Sequence, residues 1–168
     1  AYSYNNARGY LMMLYKKLLL MEAVESNPVK DIPKEQITIK RKRVLTFEER
    51  KKISDHLLAK DRDYWRFINI FFHSGCRRTE LCRLQVKDIK LTDQVFTILV
   101  KKGRQASEHL KAIKNIALQF WEEQLAGSNG DEYAFSSNFK TGRFKLQPKN
   151  ITKKWKAYVK DELKIDVD

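Results

Sequence analysis

Residues 74–88 read Ser74-Gly75-Cys76-Arg77-Arg78-Thr79-Glu80-Leu81-Cys82-Arg83-Leu84-Gln85-Val86-Lys87-Asp88, and the fold is decided where this stretch meets the one before it. Phe67, Ile68, Ile70, Phe71 and Phe72 precede it. Their spacing predicts a buried helix that stops at Gly75 and a second helix that restarts near Arg78. Arg77 then stands at the break, with the carboxylate of Glu80 one helical turn further on. A guanidinium held there suits a phosphate; the bland alternative is a structural arginine that caps helix carbonyls.

Upstream, Thr46-Phe47-Glu48-Glu49 fits a capping box, which starts a helix at Thr46 that runs to about Lys60, and Asp61 to Phe72 makes the next. Residues 29–45 hold Pro33 and the run Lys40-Arg41-Lys42-Arg43, and read as a linker that passes over something anionic. Before it, Leu11, Leu14, Tyr15, Leu18 and Leu19 recur at helical spacing from Asn5 to roughly Ser26, where Asn27-Pro28 signals a stop. That apolar face has no obvious partner nearby.

Downstream, a helix from Arg78 to Leu84 gives way to short β-type runs at Val86, Ile89, Leu91, Val95, Phe96, Ile98, Leu99 and Val100, with turns at Thr92-Asp93 and Lys102-Gly103. With Ala106 to Ile113 as a third strand they make a small antiparallel sheet whose tip is residues 101–104. Helix returns from Lys114 to Leu125, Gly127 to Asp131 is a loop, and Tyr133, Ala134 and Phe135 form a short buried strand. A last helix from Lys149 to Leu163 spaces Ile151, Trp155, Val159 and Leu163 four apart. The expected class is mainly α with a small three-stranded antiparallel β-sheet, an α+β fold. Its parts are residues 1–34, a basic linker 35–45 and a main domain 46–168.

The chain has 168 residues, 42% of them hydrophobic, enough for one real core with an appendage. Its formal charge is +13, from 34 Lys and Arg against 21 Asp and Glu, which directs it toward a polyanion and above all toward nucleic acid. A membrane is the weaker partner. Lys16 and Lys17 break the apolar segment of residues 10–21, no run approaches the ~20 residues that span a bilayer, and no secretory cleavage pattern follows. A cytoplasmic, nucleoid-associated protein is expected. Cys76 and Cys82, six apart, match no zinc spacing and read as reduced packing residues; a catalytic cysteine served by His73 is the minor alternative. No metal site and no cofactor is expected.

The order of parts resembles the tyrosine recombinases, also called phage integrases. Ser74-Gly75-Cys76-Arg77-Arg78-Thr79-Glu80 is similar to the family's first catalytic box, Thr or Ser, Gly, any, Arg, any, any, Glu. Leu84 and Asp88-Ile89 fit its continuation, a three-stranded hairpin sheet with a lysine at its tip follows, and Phe135-Ser136, Ile151 and Trp155-Lys156 resemble a later, weaker pattern. The likeness runs from about residue 45 to 165. It implies a recombinase-like catalytic domain over 46–168 and, over 1–34, the last helix of a core-binding domain. The family's His-x-x-Arg box and tyrosine nucleophile come later in its pattern; this sequence contains no His-x-x-Arg, and His56, His73 and His109 all lie too early. Tyr158 reads as an edge-packing residue. The expectation is a fragment of a longer recombinase, or a remnant that binds DNA without cutting it.

The resemblance implies that Arg77 stabilises charge on the nonbridging oxygens of a scissile phosphate, as a planar, permanently ionised fork can. Glu80 would orient Arg77, against the alternative of an ordinary surface glutamate. One of Lys101 and Lys102 would protonate the leaving 5′ oxygen, and the pattern admits both. Lys40, Arg41, Lys42, Arg43, Arg78, Arg104, Lys153 and Lys154 would neutralise phosphates of double-stranded DNA, although a lysine-rich last helix can equally be a solvated face. The family works as a tetramer on DNA; a monomer is expected for this chain alone. A noncatalytic DNA-binding or architectural protein on the same scaffold is the main alternative function. A basic RNA-binding module is the third, lacking the aromatic stacking motif of the usual modules.

Overall fold

The computed structural model describes residues 1–38, 43–103 and 105–166, with Lys102 described by its backbone alone. Two compact units divide the chain, Ala1–Lys42 and Arg43–Asp168.

In the first unit, helix α1 (Tyr2–Leu20) buries no residue, and Leu11, Leu14 and Leu19 are exposed. The sequence predicts a helix reaching Ser26; it ends six residues sooner. Glu22 turns left-handed at φ 55°, and the Glu22 and Ala23 N–H groups donate to the carbonyls of Leu19 (3.1 Å) and Leu18 (3.0 Å). This is a Schellman closure built on a glutamate, where glycine is the usual signal. Residues 27–35 then run back along α1. Asn5 donates to the Glu35 carbonyl (2.8 Å) and accepts from the Glu35 N–H (3.0 Å), and Arg8 donates to the Ile32 carbonyl (2.6 Å).

In the second unit, α2 (Phe47–Lys60) opens on the expected capping box: the Thr46 hydroxyl accepts from the Glu49 N–H (3.2 Å) and the Glu49 carboxylate from the Thr46 N–H (2.9 Å). Helix α3 (Arg62–Ser74) is the central strut. Tyr64, Phe67 and Ile70 are fully buried, with Phe67 edge-on to Phe135 at 5.1 Å and Trp65 edge-on to Phe120 at 5.2 Å. Phe72, expected in the core, is instead 71% exposed, because the stripe through 64, 67 and 70 leaves it on the outer side.

The helix expected over Arg78–Leu84 shortens to α4 (Arg78–Leu81), and Val86–Asp88 is a 3₁₀ turn where a strand was expected. The sheet is antiparallel, in the order β1 (Ile89–Lys90), β2 (Val95–Lys102), β3 (Gln105–Ala112). β2 and β3 pair from Val95–Ala112 at the base to Lys102–Gln105 at the tip, roughly 24 Å of ribbon at about 3.4 Å per residue. Phe96 and Ile98 face the core; Leu99 and Lys101 do not. Helix α5 (Asn115–Leu125) closes the core with Ala117 and Trp121.

Tyr133–Phe135 is not a strand. Tyr133 makes single bridges to Gln85 and Gly142, and Ala134 and Phe135 are buried with their backbone held elsewhere: the Gln124 amide donates to the carbonyls of Ala134 (2.7 Å) and Phe139 (2.9 Å) while buried Arg66 donates to Gln124 (2.8 Å). The last helix is also divided, into α6 (Pro148–Trp155) and a wider π-helical segment, Lys156–Glu162.

Asp61 ties these ends together. Its carboxylate accepts from the Tyr64 N–H (3.0 Å), from the Tyr158 hydroxyl (3.1 Å) and from the Lys154 ammonium, which lies over the rings of Phe139, Tyr64 and Tyr158. Burial acts to raise the pKa of Asp61, but the hydrogen bonds from Lys154, the Tyr64 N–H and Tyr158 and the nearby positive charge outweigh it, and the net shift is downward. A carboxylate held below its unfolded pKa contributes stability at neutral pH that is lost as pH falls through the folded value. Asp61→Asn is therefore expected to cost about 1 to 2 kcal/mol at pH 7, and thermal melting at decreasing pH should show the gap from the native chain closing below about pH 4.

Candidate active site

The break between α3 and α4 is built by three neighbouring residues. Gly75 caps α3 in the left-handed conformation, φ 61°, which a side chain would strain. The Ser74 hydroxyl donates to the Phe71 carbonyl (2.9 Å) and accepts from the Cys76 N–H (3.2 Å), so the chain re-enters at a fixed angle. Cys76 is buried, and the next residue, Arg77, emerges as the N-cap of α4 with extended backbone.

Glu80 is anchored rather than surface-borne. Its carboxylate, with only 11% of the side chain exposed, accepts from the Arg77 N–H at 2.8 Å and stands 3.6 Å from the Arg77 guanidinium, whose side chain is 73% exposed. The carboxylate thus spends its stronger bond on the backbone and holds the guanidinium by charge at longer range. Arg77 keeps its outward N–H groups for an incoming anion.

More positive charge collects at this break than the sequence pattern indicated. Lys111, half-buried on β3 and paired in register with Phe96, acts electrostatically on the Cys76 thiol, which burial pushes up against the smaller pull of Ser74 and Lys111. Lys114 likewise adds to the burial that lowers the pKa of His73. Neither lysine belongs to a motif, and only the strand register brings Lys111 to this place. Burial also pushes Cys82 to about 11, so both free thiols stay protonated at neutral pH and neither is primed as a nucleophile.

The remaining sequence-predicted residues are distributed as follows. Lys101 is exposed near the end of β2, on the face opposite Phe96 and Ile98. Lys102 takes the last paired position beside Gly103 (φ 63°), and its side chain lies outside the described residues, as do Lys40, Arg41, Lys42 and Arg104 entirely. Arg43 is engaged with Glu49 and with the Asp166 carbonyl (3.0 Å). Arg78 donates to the Thr152 hydroxyl, which joins α4 to α6. Lys153 is exposed, whereas Lys154 is held by Asp61 and the three rings. The Tyr158 hydroxyl is committed to Asp61, and burial together with the Asp61 charge raises its pKa, the opposite of what an attacking phenolate needs. Among the described residues no group of three His, Cys, Asp or Glu is placed to hold a metal ion, and no helix is long and apolar enough to cross a membrane.

Comparison with known proteins agrees with this fold. The model of the phage integrase family matches residues 43–166. Over 105 residues the chain is 28% identical to the tyrosine recombinase XerC of Caldanaerobacter subterraneus subsp. tengcongensis, covering 61% of this chain and 28% of that protein. Among solved structures, a lambda integrase tetramer bound to a Holliday junction superposes with a TM-score of 0.73 at 18% identity, over 100% of this chain and 50% of that one. The Tn1549 transposon integrase in complex with circular intermediate DNA gives 0.61 at 16% identity over 82% and 52%, and the XerA recombinase 0.55 at 16% over 89% and 52%. The chain spans about half the length of these solved structures and less of the curated relative. With the family model matching well over half of its residues, from the linker through the π-helical segment, the chain belongs to the phage integrase family.

Proposed function

We propose that this chain supplies the phosphate-activating half of a site-specific DNA recombinase that cleaves and rejoins strands through a phosphotyrosyl intermediate. The observation that carries the proposal is the Arg77 guanidinium, exposed at a glycine-made helix break and tethered by an almost buried Glu80. Exchange of one phosphodiester for a protein-linked one conserves bond energy, so catalysis reduces to placing charge. Arg77 binds the nonbridging oxygens, Glu80 fixes its direction, and a lysine of the hairpin tip, Lys101 or Lys102, protonates the departing 5′ oxygen. Arg77, Lys153 and the linker cations contact phosphates of a duplex, and several protomers assemble on DNA in the complete recombinase. The chain alone is a monomer that binds without cutting; Tyr158, the tyrosine of its last helical segment, is already bonded to Asp61. That commitment of Tyr158 also favours a second reading, a noncatalytic DNA-binding protein on the same scaffold.

Titration of a labelled duplex against the chain at several salt concentrations tests the binding. Four or five phosphate contacts give a log Kd that rises against log salt with a slope of about 4. A flat dependence would remove the duplex as partner. On a nicked suicide substrate the chain alone forms no covalent adduct, and an adduct that survives denaturation would refute the assignment of the nucleophile to another part of the recombinase.

A further inference from the structure

We infer that Arg143-Phe144-Lys145 is a second DNA-contacting element, in which Phe144 is an apolar finger seated against the bases of a duplex and its two neighbours hold the flanking phosphates. The inference rests on the DNA-binding function proposed above and extends it to residues that no catalytic motif includes. Residues 133–160 contain eight Lys and Arg and no Asp or Glu, so this segment presents cations with no acidic residue of its own to neutralise them. At its outer point Phe144 is 80% exposed.

A single exposed phenylalanine is ordinary; this one is distinguished by how it is held. On one side Gly142 exchanges two backbone bonds with Tyr133 (2.8 and 3.1 Å), and it packs so close to Ser136 that a Cβ would lie 3.0 Å from the hydroxyl oxygen. On the other side Leu146 is fully buried, with its N–H donating to the Phe135 carbonyl at 2.9 Å. Only three residues project between these anchors, so little ordering entropy remains to be lost on binding. Among the described residues neither Arg143 nor Lys145 has a carboxylate partner, in contrast to Lys140, which stands 3.4 Å from Asp63.

The element also connects to the candidate active site. A cleft of about 180 Å³ is lined by Lys145 and Gln147 on one wall and by Thr79 and Arg83 of the α4 region on the other. The cleft thus sets Lys145, next to Phe144 in the chain, beside Arg83, six residues after Arg77. Cations that neutralise phosphates around an apolar side chain that contacts bases are a recurrent solution for gripping a duplex. A protein partner would not require both cations flanking Phe144 to be without a carboxylate partner among the described residues.

The test uses the full chain and a mixed-sequence labelled duplex about three helical turns long. Phe144→Ala is expected to weaken binding about tenfold by the same factor at every salt concentration, because loss of an apolar contact releases no counterions. Phe144→Trp should restore affinity to within about threefold of the native chain. Arg143→Ala combined with Lys145→Ala should lower the salt slope by about 2. All variants should keep the native melting temperature, since the three side chains are exposed. If the native chain binds and Phe144→Ala binds equally well, the finger is overturned while the proposed function stands. If the native chain shows no salt-dependent duplex binding, both fail. If Phe144→Ala alters self-association of the free chain and leaves duplex affinity unchanged, Phe144 is a protein contact and the inference is overturned.

Discussion

In the complete recombinase, Arg77→Ala is expected to slow strand cleavage by about 10³-fold, ~4 kcal/mol of transition-state stabilisation, while duplex affinity changes by less than about tenfold. The asymmetry follows from geometry. With 73% of its side chain exposed, Arg77 is proposed as one phosphate contact among several in the ground state, so its loss would remove one share of the binding energy. In the transition state the same fork would oppose charge that grows on the nonbridging oxygens, whereas the neighbouring guanidinium at the α3–α4 break, Arg78, is bonded to the Thr152 hydroxyl. Arg77→Lys should recover only part of the rate, since an ammonium supplies the charge without the fork. Single-turnover cleavage measured beside equilibrium binding separates the two effects, and an equal loss in both would reduce Arg77 to a docking residue.

The second large effect is expected at the hairpin. Removal of the acid that protonates the leaving 5′ oxygen should slow cleavage by about 10²- to 10⁴-fold. A substrate whose bridging 5′ oxygen is replaced by sulfur has a leaving group that departs without a proton, so the same variant should cleave it at close to the native rate. Lys101→Ala and Lys102→Ala tested side by side on both substrates assign the role: the lysine whose loss sulfur rescues is the acid, and rescue of neither would remove the hairpin from proton transfer. The neighbouring positions point to different outcomes for the other lysine. Lys101 lies on the outward face of β2, so if it is not the acid its loss should reduce affinity slightly and leave the rate intact.

Much of this organisation was legible in residues alone, and the boundary of legibility has physical causes. The capping box at Thr46, the glycine stop at Gly75 and the hairpin turn at Gly103 are local signals, each set by the conformational demands of one or a few neighbouring residues, and they were found in place. Elements decided by distant partners were missed. α1 ends early because Glu22 adopts a conformation usually left to glycine. Tyr133–Phe135 looks like a strand, yet its backbone is shared among the Gln124 side chain, Gly142, Leu84 and Leu146 and joins no continuous ladder. Phe72 belongs to an apolar run but falls outside the stripe defined by Tyr64, Phe67 and Ile70.

The site shows the same division. Arg77 and Glu80 meet because one helical turn separates them, a relation that spacing alone conveys. Lys111 and Lys114 reach the break only through the β2–β3 register and the start of α5, and Arg83 faces Lys145 only after more than sixty residues of chain have returned to α4. Lys154 resembles its neighbour Lys153 in sequence, but one turns into Asp61 and the aromatic rings while the other stays outside. A lysine run reports charge; which members remain for DNA depends on the carboxylates that folding brings near.

The most direct test of Arg77 replaces one nonbridging oxygen of the scissile phosphate by a methyl group, which removes the negative charge that the guanidinium is proposed to oppose. The account predicts that Arg77→Ala, nearly inactive on the phosphodiester, cleaves the neutral methylphosphonate at a rate close to that of the native recombinase. A variant equally defective on both substrates would contradict it, because the missing guanidinium would then be serving something other than phosphate charge.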